Sequence, residues 1–166
     1  MTNIVLIGMP GSGKTSIGKE LAKLLDFNFF DCDQAIEELL CKSVLEIFED
    51  RGEEFFRKME TDTLKFLLLK TNSVISTGGG VVEKSENIDI LKKCGTVVFI
   101  NRPLENIMDD INTSHRPLLK DGKDRLVTLF ERRFDLYQKT CDIEIENKGS
   151  IQDVARKIID EVKKNG

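Results

Sequence analysis

A single α/β domain, with a parallel sheet held between two layers of helices, is what this chain predicts, and three observations predict it. Short apolar runs alternate with stretches of helical periodicity from one end to the other. Such alternation implies right-handed βαβ crossovers and helices on both faces of the sheet. The first run, Asn3-Ile4-Val5-Leu6-Ile7, stops at Gly8, which is how a strand buried on both faces reads. The length of 166 residues fits one domain, and a chain of that size buries roughly 70% of its unfolded surface without staples.

The elements follow in order. After the glycine-rich turn, Ile17, Leu21, Leu24 and Leu25 recur at helical spacing and predict a helix over 14–25. Asn28-Phe29-Phe30 is a short strand ending at Asp31. Residues 34–70 are helical in pattern, with Ser43-x-x-Glu46 as a capping box and Gly52 as a break. Ser73-Val74-Ile75-Ser76 is the third strand, running into Thr77-Gly78-Gly79-Gly80. A helix over 85–93 leads to the strand Thr96-Val97-Val98-Phe99-Ile100. Pro103 suits the first turn of the next helix. Residues 112–124 are polar, contain Pro117 and Gly122, and read as an exposed loop. A helix over 124–139 precedes a last strand over 142–146. Ser150 and Asp153 open a C-terminal helix with apolar positions Ile151, Val154, Ile158, Ile159 and Val162. There is no internal repeat, low-complexity tract or linker.

Composition narrows the functional classes. Hydrophobic residues make up 40% and charged residues 33%, an ordinary soluble balance. No apolar run approaches the ~18 residues needed to cross a bilayer, and no basic n-region precedes the first strand, so a membrane or secretory role is not expected. A cytoplasmic protein is. Net charge is −4 with a pI near 5.2, which does not favour a nucleic-acid partner. The four cysteines (32, 41, 94, 141) form no C-x-x-C pair and lie far from His115, the one histidine. They read as reduced thiols rather than metal ligands, and His115 as a solvated loop residue.

Gly8-Met9-Pro10-Gly11-Ser12-Gly13-Lys14-Thr15 matches G-x-x-x-x-G-K-[ST] in full, and it lies between a strand and a helix, the context that confirms a phosphate loop. Its glycines bring backbone N–H groups close to phosphate, and the following helix points its positive dipole end at the same anion. Lys14 is expected to reach the β- and γ-phosphates and the Thr15 hydroxyl to ligate Mg²⁺.

The acceptor is read from what else is present. No Asp is followed by Gly three positions later, and Asn147-Lys148-Gly149-Ser150 lacks the Asp of a guanine-reading N-K-x-D, so a GTPase is disfavoured. The central strands end in Ser76 and Asn101 rather than in the acid of a motor ATPase. Acids appear instead at Asp31-Cys32-Asp33. On an extended segment the two would face opposite sides, one toward Mg²⁺ and one toward an acceptor, although either could simply cap the next helix. Three glycines after a buried strand imply close approach of a ligand or backbone. Arg57, Lys58, Arg116, Arg132 and Arg133 supply cations for an anionic acceptor and for a transferring phosphoryl group.

Over essentially its whole length the chain resembles the shikimate kinases. The residues that carry the likeness are the loop at 8–15, Asp31-x-Asp33, Phe56-Arg57-x-x-Glu60, Gly78-Gly79-Gly80, Arg116-Pro117-Leu118-Leu119 and Arg133-x-x-x-Tyr137. The resemblance implies a three-layer α/β/α P-loop kinase with a five-stranded parallel sheet. One domain over 1–166 would include a helical substrate-binding segment at about 33–60 and a mobile lid at about 109–124. It implies a monomer that phosphorylates the 3-hydroxyl of shikimate with ATP, giving shikimate 3-phosphate and ADP, in aromatic amino-acid biosynthesis. By the same likeness Gly11, Ser12, Gly13, Lys14, Thr15, Ser16 and Arg116 contact ATP. Asp33, Arg57, Gly78, Gly79, Gly80 and Arg133 hold shikimate, with Lys14, Asp33 and Arg116 catalytic. Thr15, and Asp31 through water, serve Mg²⁺, with Ser76 nearby, and the segment at 147–150 borders adenine. Asp33 would orient the reacting hydroxyl or take its proton.

Three positions depart from the family pattern. A basic residue that often stacks on adenine, seven positions before the lid arginine, is Asp109 here. The proline of Arg-x-Pro-x-Tyr is Asp135, and Cys32, between the two aspartates, should point away from substrate. The rival readings are another small-molecule kinase such as a gluconate kinase, which should lack the three glycines beside Asp31-x-Asp33, and an idle nucleotide-binding module, which should have a damaged loop.

Overall fold

The computed structural model describes residues 2–113 and 122–166. Among them run β1 (Asn3–Ile7), α1 (Lys14–Leu25), β2 (Asn28–Asp31), α2 (Cys32–Leu40), α3 (Val44–Leu67) and β3 (Ser73–Ser76). A 3-10 turn (Val81–Glu83), α4 (Ser85–Cys94), β4 (Gly95–Asn101), α5 (Leu104–Thr113), α6 (Gly122–Thr140), β5 (Ile143–Glu146) and α7 (Ile151–Asn165) follow. The strands form one five-stranded sheet in the order β2-β3-β1-β4-β5, every pair parallel.

Both faces of the sheet are apolar because both are covered, and the twofold alternation of each strand divides its residues between two cores. Val5, Ile7, Ile75, Val97 and Phe99 pack on one side with Leu64, Leu91 and Tyr137. Ile4, Leu6, Val74, Val98 and Ile100 pack on the other with Ile17, Leu21, Val154 and Ile158. A small third cluster, Ile36, Ile47 and Phe56, joins α2 to α3.

Local signals held at most boundaries. Ser43 and Glu46 form the reciprocal capping box at the start of α3, and Ser150 caps α7 by accepting from the Asp153 N–H. Gly52 kinks α3 with φ 84° and ψ 168°, a conformation open to glycine at little cost. The stretch expected as helical from 34 to 70 is two helices, because Cys41 at φ 52° ends α2. The second helix stops at Leu67. α5 runs to Thr113 and α6 begins at Gly122, so helix occupies part of the stretch expected as loop. The rest of the expected lid, including His115, Arg116 and Pro117, lies outside the described residues.

The register decides where chemistry can occur. Asp31 at the end of β2 is paired with Ser76 at the end of β3, and Ser76 with Leu6 in β1. The glycine-rich loop, Asp31 and the run at 78–80 therefore leave the same edge of the sheet, at its carboxyl ends, where ligands of open α/β sheets bind.

Candidate active site

The loop between β1 and α1 wraps around Lys14. Gly13 sits at φ 97° as the N-cap of α1, a left-handed conformation that turns the chain into the helix and that a Cβ would strain. Lys14 is only 8% exposed. Its Nζ donates to the carbonyls of Gly8 and Met9, each at 2.8 Å, and to Ser12 Oγ at 3.4 Å. Burial lowers its pKa to about 8, with Asp33 and Asp31 opposing the fall. Its carbonyl partners are those of an amine folded into its own loop.

Beside it the Thr15 hydroxyl donates to Asp31 Oδ2 at 2.8 Å, while Asp31 Oδ1 accepts from the Gln34 N–H at 3.0 Å. Asp31 thus does two things: it caps α2 and presents an oxygen next to Thr15. The expectation that Asp31 and Asp33 lie on one extended segment and face apart does not hold. With Asp31 as its cap, α2 begins at Cys32, so Asp33 stands in the first helical turn, near enough to Asp31 for each charge to be felt. Desolvation first and Asp31 second raise the Asp33 pKa, with Lys14 opposing. Cys32, turned into the sheet core, is removed from the site as expected, and burial holds its thiol protonated. Cys32, Cys41, Cys94 and Cys141 are all free thiols.

Residues 78–80 form a wall built of backbone. None of the three glycines has a positive φ. The space a Cβ would take is already occupied. A Cβ on Gly78 would come within 2.8 Å of both Asp33 Oδ1 and Glu60 Oε2, and one on Gly79 within 2.7 Å of Pro10 Cδ and 3.2 Å of Arg133 Nη1. A Cβ on Gly80 would collide with the Arg57 guanidinium. The wall therefore gathers Asp33, Arg57, Glu60 and Arg133, residues scattered along the chain, onto one surface next to the phosphate loop.

The charges on that surface are paired on one side and open on the other. Arg57 Nη1 donates to Glu60 Oε1 at 3.0 Å, and Glu60 is fully buried. Desolvation raises the Glu60 pKa, Arg57 opposes, and Asp33 adds to the rise. Asp33 Oδ1 and Glu60 Oε2 are buried side by side against Gly78 with no hydrogen-bond partner among the described residues. Arg133, 5% exposed, donates through Nε and Nη2 to Glu83 Oε2 at 3.2 and 2.9 Å. The Tyr137 hydroxyl donates to the Gly79 carbonyl at 2.5 Å, and its ring stacks on Phe99 at 5.0 Å. Burial keeps that phenol protonated well above its usual range.

On the far side of the loop a cleft of about 450 Å³ is lined by Gly13, Ser16, Arg102, Asn106, Asn147 and Gly149 among others. Arg102 Nη1 donates to the Gly11 carbonyl at 2.9 Å and Nη2 pairs with Asp110 at 2.6 Å. Asn147 Nδ2 donates to the Ser12 carbonyl at 2.8 Å, tying the turn after β5 to the phosphate loop.

Of the residues expected in the site, Gly11, Ser12, Gly13, Lys14, Thr15 and Ser16 lie in or beside the loop. Asp31, Asp33, Arg57, Gly78, Gly79, Gly80 and Arg133 adjoin it. Lys58 is exposed and stands apart. In the sequence Glu60 and Tyr137 stand out only as parts of motifs, and nothing there singles out Glu83 or Arg102. A fixed offset from Arg116 leads to Asp109, whereas the guanidinium beside the cleft comes from the residue before Pro103. Glu83 follows the glycines by three positions, and nothing local marks it as the partner of arginines in other helices.

A phosphate loop opening into a nucleotide-sized cleft on one side, and onto a wall carrying paired acids and arginines on the other, defines a P-loop phosphotransferase acting on a small acceptor. The chain belongs to the shikimate kinase family: the family model described as shikimate kinase matches residues 10–163. A shikimate kinase of Clostridium botulinum (strain Eklund 17B / Type B) is 48% identical over 93% of each chain. The solved structure of a shikimate kinase from Acinetobacter baumannii in complex with shikimate superposes with a TM-score of 0.93 at 35% identity. It covers 99% of this chain and 94% of that one. A gluconokinase from Sinorhizobium meliloti 1021 reaches a TM-score of 0.61 at 16% identity, covering 98% and 92% of the two chains, and so shares the fold alone. Among the described residues no helix is long and apolar enough to cross a membrane.

Proposed function

We propose that the chain transfers the γ-phosphoryl group of ATP to the 3-hydroxyl of shikimate, giving shikimate 3-phosphate and ADP. The observation that carries this reading is the meeting of Asp33, Arg57 and Arg133 on the backbone wall at 78–80, beside Lys14. A small carboxylate with several hydroxyls matches that surface. Arg57 and Arg133 would take its carboxylate through charge-assisted hydrogen bonds, and the wall's backbone would lie flat against its ring.

Asp33, close enough to Lys14 for the two charges to act on each other, would accept the hydrogen bond of the reacting hydroxyl. As that oxygen bonds to the γ-phosphorus and the bond to the β-phosphate oxygen breaks, its proton passes to Asp33. Lys14 would neutralise charge building on the phosphates, and Arg116 would do the same from the segment proposed as a lid at about 109–124. Such a lid would also keep water from the γ-phosphate. Thr15 and Asp31 are hard oxygen donors set together next to the loop, a set that fits Mg²⁺, which keeps most of its shell as water and phosphate. The ion would supply charge neutralisation between the β- and γ-phosphates. The free thiols suit a reducing compartment, and the chain's size and net charge of −4 suit a monomer, so we infer a cytoplasmic monomer.

A coupled assay of ADP release with shikimate, quinate, gluconate and AMP tests the assignment. Turnover with shikimate far above the others is expected; turnover with gluconate or AMP and none with shikimate would reject it.

The adenine end differs from the family pattern in a way that can be measured. Arg102, anchored on the Gly11 carbonyl and on Asp110, is proposed to face the base in place of the basic residue absent at position 109. A guanidinium over an aromatic face contributes about 1 kcal/mol. Arg102→Ala should therefore raise the KM for ATP roughly fivefold and leave that for shikimate within twofold. An unchanged KM for ATP would remove Arg102 from the base site.

A further inference from the structure

Glu83 is the acid on which the arginines of this pocket converge. It ends the 3-10 turn that leaves the wall, its own N–H bonded to the Gly80 carbonyl at 3.1 Å. Its Oε2 accepts from Arg133 Nε at 3.2 Å and Nη2 at 2.9 Å, and lies 3.9 Å from Arg57 Nη2. Its Oε1 lies 2.5 Å from Arg132 Nε. Partial burial acts to raise its pKa, but Arg133 and Arg132 outweigh that and hold it below the usual range, so it is a carboxylate at neutral pH. One side chain thus links the wall to α6 through Arg132 and Arg133, and to α3 through Arg57.

The edge of Arg133 that Glu83 uses is informative. It takes the Nε–Nη2 edge and leaves Nη1, the nitrogen that lies at the wall, 3.2 Å from where a Gly79 Cβ would stand. We propose that Glu83 is the positioning residue of the acceptor-carboxylate site, holding Arg133 by its far edge and offsetting the repulsion between Arg133 and Arg57, so that Arg133 presents its near edge to the incoming carboxylate beside an Arg57 already held by Glu60 and Glu53. The proposal rests on the shikimate reading above and extends it to a residue outside the motifs that carry the family likeness. Preorganised guanidiniums lose less side-chain freedom when the carboxylate arrives.

Two effects oppose each other when Glu83 is removed. The pocket becomes more positive, which favours an anion, while Arg133 loses the contact that aims it; Arg57 keeps its bonds to Glu60 and Glu53. Glu83 keeps 21% exposure, so solvent screens the first effect, whereas both charge-assisted hydrogen bonds that Arg133 makes to Oε2 are lost outright in the second. The KM for shikimate is therefore expected to rise.

The test is steady-state kinetics of the full chain with shikimate and ATP varied separately, on wild type, Glu83→Gln and Glu83→Ala. Glutamine keeps the volume and one acceptor oxygen, so it also guards against a variant that fails to fold. The expected pattern is a KM for shikimate raised about threefold in Glu83→Gln and about tenfold in Glu83→Ala. The KM for ATP should stay within twofold and kcat should change less than the shikimate KM. Wild type is read first: if it shows no shikimate-dependent turnover, the functional reading falls and this proposal with it. If wild type turns shikimate over, an unchanged KM in both variants overturns the proposal alone. So does a lowered KM, which would make Glu83 an occupant that the substrate displaces. Equal losses in kcat and in both KM values would mark a purely structural residue and overturn it as well.

Discussion

Lys14→Ala should lower kcat/KM for ATP by about 10³-fold or more, the scale on which one preorganised charge at a transferring phosphoryl group acts. The reason is in the geometry. Lys14 is 8% exposed and reaches across the mouth of its loop to Gly8, Met9 and Ser12, so no other ammonium lies in the loop to replace it. Water cannot substitute efficiently in a pocket that has largely excluded it. The fold should survive, because the substitution removes a buried charge rather than a packed apolar group, and the hydrophobic contacts of α1 come from Ile17, Leu21 and Ala22. The check is the coupled ADP assay together with a thermal melt. Turnover within tenfold of wild type, in protein that melts normally, would show that Lys14 is not the neutralising charge.

Asp33→Asn should lower kcat by about 10²-fold, within the range for loss of a positioned acid–base group, with a smaller change in the KM for shikimate. The two side chains are nearly isosteric, so packing against Gly78 is kept and the charge alone is lost. The Asn carbonyl can still accept a hydrogen bond but cannot take a proton. Asp33→Ala separates the two parts of the role. Proton acceptance predicts that Asn and Ala are similarly slow; orientation alone predicts that Asn stays close to wild type while Ala is slow. A kcat for Asp33→Asn within threefold of wild type would remove the proton-accepting role.

The parts of this protein that were readable from sequence are those whose causes are local. A strand buried on both faces is a run of apolar residues, a capping box is two residues three apart, and the phosphate loop is eight consecutive positions whose backbone needs are met by residue type. Ile4 and Val5 entering opposite cores, Ser43 bonding Glu46 and Gly13 turning left-handed all follow from such patterns. The errors lie where a side chain changed the backbone or where partners are distant. Asp31 spends one oxygen on capping α2, which winds the chain at Cys32 and carries Asp33 around the first turn. A rule for extended segments could not anticipate that. The Glu83 contacts with Arg57, Arg132 and Arg133 depend on how α3, α6 and the turn after β3 pack, and no spacing encodes them. The three glycines were understood as a place of close approach, but what approaches turned out to be carboxylates, a proline ring and two guanidiniums.

That bare wall limits how the pocket could ever come to accept a different molecule. A cavity lined by side chains can be widened by trimming one of them, but a floor of glycine has nothing left to trim, and an added methyl would meet an acid, an arginine or the Pro10 ring. On the reading proposed above, altered acceptor choice would therefore have to come from the side chains set against the floor, at residues 33, 57, 60, 83 and 133. Those are the charged groups that meet there, so a change of ring shape would be hard to obtain without also disturbing how a carboxylate is recognised.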